Sequence, residues 1–98
     1  MISVLVHHKV ADYQRWKATF DSSLDFRHKA GEQSCRIFFD PDKENDLTLL
    51  FEWEDVNLAR RFMNSSELRE RMKEAGVLDQ PTIEFLHEMY TVRRSAAD

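Results

Sequence analysis

The first residues, Ile2 to His8, read ISVLVHH, a β-branched run that alternates weakly, and this period predicts a strand. After Asp12 the period changes. Tyr13, Trp16, Phe20 and Leu24 recur at three- and four-residue spacing, which puts them on one face of a helix. Asp12 suits its N-cap, because a carboxylate there accepts from an unpaired first-turn N–H. His28 and Lys29 fall in its last turn, where cations suit the helix dipole, and Gly31 follows as a C-terminal cap. Gln33 to Phe39 and Leu47 to Trp53 read as two strands joined by a polar loop, "DPDKEND". Asp55 caps a second helix carrying Leu58, Ala59, Phe62 and Met63. The "NSSE" after it renews the cap, with Glu67 three residues past Asn64, and predicts a kink before a last helical stretch with Leu68 and Met72. Thr82 to Arg93 reads as a final strand, long enough to bend or be shared with a neighbour.

The order βαββαβ predicts an α+β domain with a four-stranded antiparallel sheet over residues 1–98. Alternation sorts the side chains by face. Ile2, Val4 and Val6, then Cys35, Ile37 and Phe39, then Leu47, Leu49, Phe51 and Trp53 form three apolar rows assigned to the helix side. The opposite row holds Leu5, His7, Arg36, Phe38, Leu50, Glu52, Leu86 and Tyr90. Leaving Leu5, Phe38, Leu50 and Leu86 in water forgoes about 1.5–3 kcal/mol each, so this second face is expected to close against another copy of the chain.

Composition narrows the function. At 98 residues the chain is one domain with a modest core, which a homodimer would help. The net charge is −4 and Lys and Arg are scattered, so no nucleic-acid partner is expected. A single cysteine, Cys35, fits a reducing compartment, and no run is long enough for a membrane span. The expectation is a cytoplasmic protein without a membrane partner.

Several segments carry a resemblance. "HHKVADYQRWKATFD", the "EWED" closing the third strand, and "ARRFMNSSELRERMKEAGV" after it resemble the dimeric α+β barrel superfamily. More narrowly, they resemble antibiotic biosynthesis monooxygenase-like and related uncharacterised bacterial proteins. The resemblance covers nearly the whole chain. It implies a ferredoxin-like domain that pairs into a barrel. It leaves the activity open, because the superfamily holds cofactor-independent monooxygenases, haem-degrading enzymes, chlorite dismutases, isomerases and proteins with no assigned activity. The haem-degrading branch uses a first-strand Asn, a Trp before the mid-helix Ser and a later His. This chain has no Asn in that strand, reads Phe62-Met63-Asn64 before the serines and has no His in the second helix. Neither haem nor another cofactor is therefore expected.

The strand order implied by the resemblance sets the first and third strands side by side, and they are expected to run parallel. That places His7 and Glu52 at the same end of the open face, where a carboxylate would orient the imidazole as a general base. Arg36 on the same face would hold a ligand anion or make a dimer salt bridge. Leu5, Phe38, Leu50 and Leu86 would line the ligand space. His8, one residue on, points to the helix side or its rim, so the two histidines cannot share a metal. "DPDKEND" lacks the glycine and closing glutamate of a calcium loop, and no metal site is expected. Two functions stay open. One is a cofactor-independent monooxygenase-like enzyme acting on a small apolar or aromatic molecule. The other is a non-catalytic ligand-binding or structural homodimer.

Overall fold

Four strands and four short helices alternate along residues 1–95, which the structure, a computed structural model, describes. They are β1 (Ile2–Lys9), α1 (Tyr13–Ser22), α2 (Leu24–Ala30), β2 (Glu32–Asp40), β3 (Lys43–Trp53), α3 (Val56–Met63), α4 (Ser66–Glu74) and β4 (Thr82–Leu86). The sheet order is β2-β3-β1-β4, and every neighbouring pair is antiparallel. The fold is the ferredoxin-like α+β sandwich expected from the order of elements.

One expectation about the sheet is corrected. β1 and β3 are neighbours but run antiparallel. The crossover through α1 and α2 makes β2 parallel to β1. The hairpin then reverses the chain, so β3, inserted between them, opposes both. That hairpin is also tighter than expected. Most of "DPDKEND" is strand, and Asp40 pairs with Lys43 across a two-residue turn of Pro41 and Asp42. The Asp40 carboxylate closes the turn by accepting from the Asp42 N–H at 2.8 Å.

The helices follow their capping signals. Asp12 accepts from the Arg15 N–H at 2.9 Å and Asp55 from the Asn57 N–H at 2.6 Å. The first helical region is broken at Ser23, which the residue spacing did not predict. The Ser23 hydroxyl donates to the Thr19 carbonyl at 2.8 Å, competing with the helix's own bonding. The break re-aims the next turn, so Leu24 is 44% exposed and Phe26 packs on the core in its place. The break in the second region falls where expected, but its cap is Ser65, not Asn64, accepting from the Leu68 N–H at 3.2 Å. β4 stops at Leu86, so the strand expected to reach Arg93 is much shorter and Tyr90 belongs to no strand. The β1–β4 register has by then reached Ser3, near the start of β1, and little of that strand is left to pair with.

The rows divide as alternation requires. Ile2, Val4, Val6, Leu47, Leu49, Phe51 and Trp53 are buried against the helices. Cys35 and Ile37 lie half-buried on the same side. Phe39, from that row, is exposed, because it sits at the far end of an edge strand. Gly31 takes φ 116°, and a side chain there would meet Trp53 Nε1 at 2.7 Å. That indole donates to the Ala30 carbonyl at 3.0 Å, locking the end of α2 onto β3.

Candidate functional site

The register decides what the open face can do. His7 pairs with Thr48, whereas Glu52 pairs with Ser3, four residues away along β1. The expected His7–Glu52 couple is therefore not formed. Glu52 instead accepts from the Ser3 hydroxyl at 3.0 and 3.1 Å. His7 Nε2 lies 2.7 Å from Asp46 Oδ1 as an ion-pair contact, without the alignment of a hydrogen bond, and Nδ1 lies 3.2 Å from the Thr48 hydroxyl. Both ring nitrogens face protein oxygens, and the ring is exposed.

The rest of that face is a shallow apolar surface. Leu5 sits directly opposite Leu50, and Arg36 opposite Leu50 from the other side. The Arg36 guanidinium lies 5.7 Å from the Phe38 ring centroid. Phe38 is 48% and Leu86 41% exposed, while Leu5 and Leu50 are half-buried. The alternation thus brings the expected residues to one face, where Phe38 and Leu86 stay open to solvent.

The opposite side of the sheet does hold a cavity, of about 70 Å³, between β1, β3, β4 and the four helices. Its walls are almost wholly apolar: Val6, Leu49, Phe51 and Ile83 from the sheet, with Trp16, Phe20, Phe26, Phe62, Met63, Leu68 and Met72 from the helices. His8 lies in this wall. Its parity with Val4 and Val6 turns it inward, as the sequence placed it, and it is only 3% exposed. Its ring meets Trp16 edge-on, with centroids 5.9 Å apart. Neither Nδ1 nor Nε2 has a hydrogen-bond partner. Burial lowers its pKa from 6.5 to about 4, partly offset by Asp79 and reinforced by His7. At neutral pH the imidazole is uncharged, with one N–H donor and one free lone pair.

Two arginines complete the wall. Arg27 is buried, pairs through Nε with the buried Glu32 carboxylate, donates to the Phe20 carbonyl and stacks 3.6 Å from the Phe20 ring centroid. Arg71 donates to the Ser23 hydroxyl at 2.9 Å and to Glu67 at 3.0 Å, and lies 4.1 Å from the Phe26 centroid. Each guanidinium thus has a carboxylate partner within the chain. Sequence reasoning missed the Arg27–Glu32 pair, since a helix cap at Gly31 separates its members. Nothing in the residue spacing signals it, because the helix period and the strand period meet between Arg27 and Glu32.

Burial raises the Cys35 thiol to about 12, assisted by Glu32, so it is protonated and inert. Among the described residues no group of three or more His, Cys, Asp or Glu side chains is placed to hold a metal, and no helix is long and apolar enough to cross a membrane.

No protein-family model and no curated protein sequence matches the chain. Solved structures do match in fold. A Bordetella bronchiseptica protein provisionally named an antibiotic biosynthesis monooxygenase has a TM-score of 0.74 at 16% identity, over 91% of this chain and 97% of its own. SnoaB, a cofactor-independent oxygenase from Streptomyces nogalater, has a TM-score of 0.66 at 14% identity, over 99% and 97%. A conserved protein from Methanosarcina mazei Go1 has a TM-score of 0.68 at 17% identity, over 89% and 91%. The chain has the fold of the antibiotic biosynthesis monooxygenase-like structures along nearly its whole length.

Proposed function

We propose that this chain is a cofactor-independent monooxygenase-like enzyme acting on a small apolar or aromatic molecule, and that its site is the helix-side cavity around His8. The observation carrying this reading is a neutral imidazole, buried and unpartnered, in the wall of a largely apolar cavity. A buried polar group without a partner is costly, typically about 1–3 kcal/mol, so such a group is retained where something else satisfies it. The oxygenase named among the structural neighbours works without a cofactor, which agrees with a site built from side chains alone.

In this reading His8 replaces His7 as the base. An acidic O–H or C–H of the substrate faces a ring nitrogen, and the proton moves to it. Burial alone makes His8 a weak proton acceptor, because its charged form is desolvated. The substrate anion removes that handicap by serving as counter-ion at short range in a low dielectric. The anion then reduces dioxygen at carbon, and loss of water from the resulting peroxide leaves a carbonyl. One CH₂ and one O₂ become one C=O and one H₂O. Arg27, paired with Glu32, and Arg71, bound to Ser23 and Glu67 but with its Nε buried and unpartnered, hold the wall and its aromatic rings in place.

The second copy belongs to the same proposal. Leu5, Phe38, Leu50 and Leu86, with Arg36, would form a homodimer contact on the open face. A ligand-binding homodimer without turnover is the alternative, favoured by the depressed pKa that keeps His8 neutral. Oxygen uptake separates them. Single-ring cyclic 1,3-diketones and phenols, assayed with chelator present, should include at least one that consumes dioxygen mole for mole and loses activity in His8→Phe. No uptake above the uncatalysed rate with any of them would leave the binding reading.

A further inference from the structure

We propose that residues 76–81, which join α4 to β4, form a strap that is fastened to the end of β1 and comes off it when His8 takes up a proton. The strap concerns the histidine of the proposed site but needs neither a ligand nor turnover, so a failed oxygen assay leaves it standing.

The strap is fastened mainly by backbone bonds to the three residues that follow His8. The Leu78 N–H donates to the Lys9 carbonyl at 2.9 Å and the Ala11 N–H to the Gly76 carbonyl at 2.9 Å. Val10 and Val77 form an antiparallel bridge between these two bonds. The Asp79 carboxylate adds a tie by accepting from the Lys9 N–H at 3.1 Å. Little apolar burial backs these bonds: Leu78 is 66% exposed, and Asp79 and Gln80 are exposed too. A segment held by surface hydrogen bonds over few buried contacts opens before the rest of a fold. Ala75, just before the strap, and Pro81, at its end, line the same cavity as His8, so the closed strap bounds the histidine's surroundings.

The trigger is the buried ring. With the strap closed, neither nitrogen of His8 has a hydrogen-bond partner, and burial holds the pKa at about 4. The strap supplies Asp79, whose charge favours the imidazolium, and β1 supplies His7, which opposes it. α1 presents the edge of Trp16, and β3 pairs Leu47 with His8. In the shared wall, Arg27 of α2 and Arg71 of α4 face Glu32 and Glu67, while α3 and β4 contribute only apolar side chains. The carboxylate that favours the proton therefore rides on the strap, with one oxygen committed to Lys9. Opening admits water and returns the ring to its ordinary value of 6.5. The closed form then binds a proton more weakly than the open form, so opening rises as pH falls from about 6.5 towards about 4. At about pH 5 the open fraction should be about thirtyfold higher than at neutral pH.

Amide hydrogen exchange of the whole chain, followed by NMR at about pH 7.5 and about pH 5 in urea below the unfolding transition, tests this. Rates are corrected for the intrinsic pH dependence of exchange. The Ala11 and Leu78 amides should start less protected than those of Val4 and Phe51, which pair in the two central strands. Their protection should fall about thirtyfold between the two pH values, with little dependence on urea. In His8→Leu it should fall by less than about twofold, and His8→Gln gives the same reading should the leucine variant fail to fold. An unchanged protection in wild type would overturn the coupling, and an equal fall in the variants would assign it to another group. Protection and urea dependence matching those of Val4 and Phe51 would mean that the segment opens only with the whole fold, and no strap exists.

Discussion

Replacing His8 by leucine should make the fold more tolerant of mild acid. In the folded chain burial holds the His8 pKa at about 4, against 6.5 ordinarily. Between these values the unfolded chain binds a proton that the folded chain refuses, so stability falls as pH falls through this window and is unaffected by His8 above it. Each unit of pH within the window costs about 1.4 kcal/mol. At about pH 5 the loss is therefore about 2 kcal/mol, a sizeable part of the 5–15 kcal/mol that such domains possess. The variant has no imidazole to protonate. Other groups titrate in both proteins and cancel in the difference. Urea unfolding followed by circular dichroism, at about pH 7.5 and about pH 5, gives that difference. His8→Leu should gain about 2 kcal/mol on wild type between the two conditions, whatever its stability at neutral pH. Parallel pH dependences would mean that His8 is hydrated or paired in solution, and the reasoning about the cavity would fail with it.

Three further outcomes follow from the packing. Gly31→Ala should lower stability by about 1–3 kcal/mol, because the alanine methyl would face Trp53 Nε1 from a left-handed backbone; thermal unfolding with lost near-ultraviolet dichroism would show it, and an unchanged midpoint would contradict it. Glu32→Gln should cost about 3–5 kcal/mol by leaving the buried Arg27 charge uncompensated, with the double change to Arg27→Met and Glu32→Met recovering much of it in urea. Light scattering should give twice the 11.7 kDa chain mass for wild type and a smaller mass for Leu50→Arg, which sets a charge in the proposed contact; a monomeric wild type would remove the homodimer.

How much of this was legible before the fold is known depends on the range of the signal. The alternation of Leu47, Leu49, Phe51 and Trp53 fixes a face through local geometry, and the structure buries all four. The same rule turned His8 inward and His7 outward. Strand direction is a different kind of information. It follows from how a hairpin and a crossover combine, and the mistaken parallel pairing of β1 with β3 joined His7 to Glu52 when the register sets them four residues apart. The break at Ser23 was hidden because Leu24 continues the helical spacing after Phe20, while the competing hydroxyl bond to Thr19 leaves no trace in periodicity. That His8 lacks any partner, which matters most for the site, is a property of everything packed around it and is written at no single position.

Small molecules are expected to enter the helix side of the sheet and not its open face. Intermolecular NOEs between 4-methylphenol and the methyl-labelled protein test it directly, because the two faces carry different methyl groups on the same strands. Contacts are expected from the ligand ring to Leu49, Leu68 and Ile83, all in the cavity wall. Contacts to Leu5, Leu50 and Leu86 instead would place the ligand on the open face and contradict it.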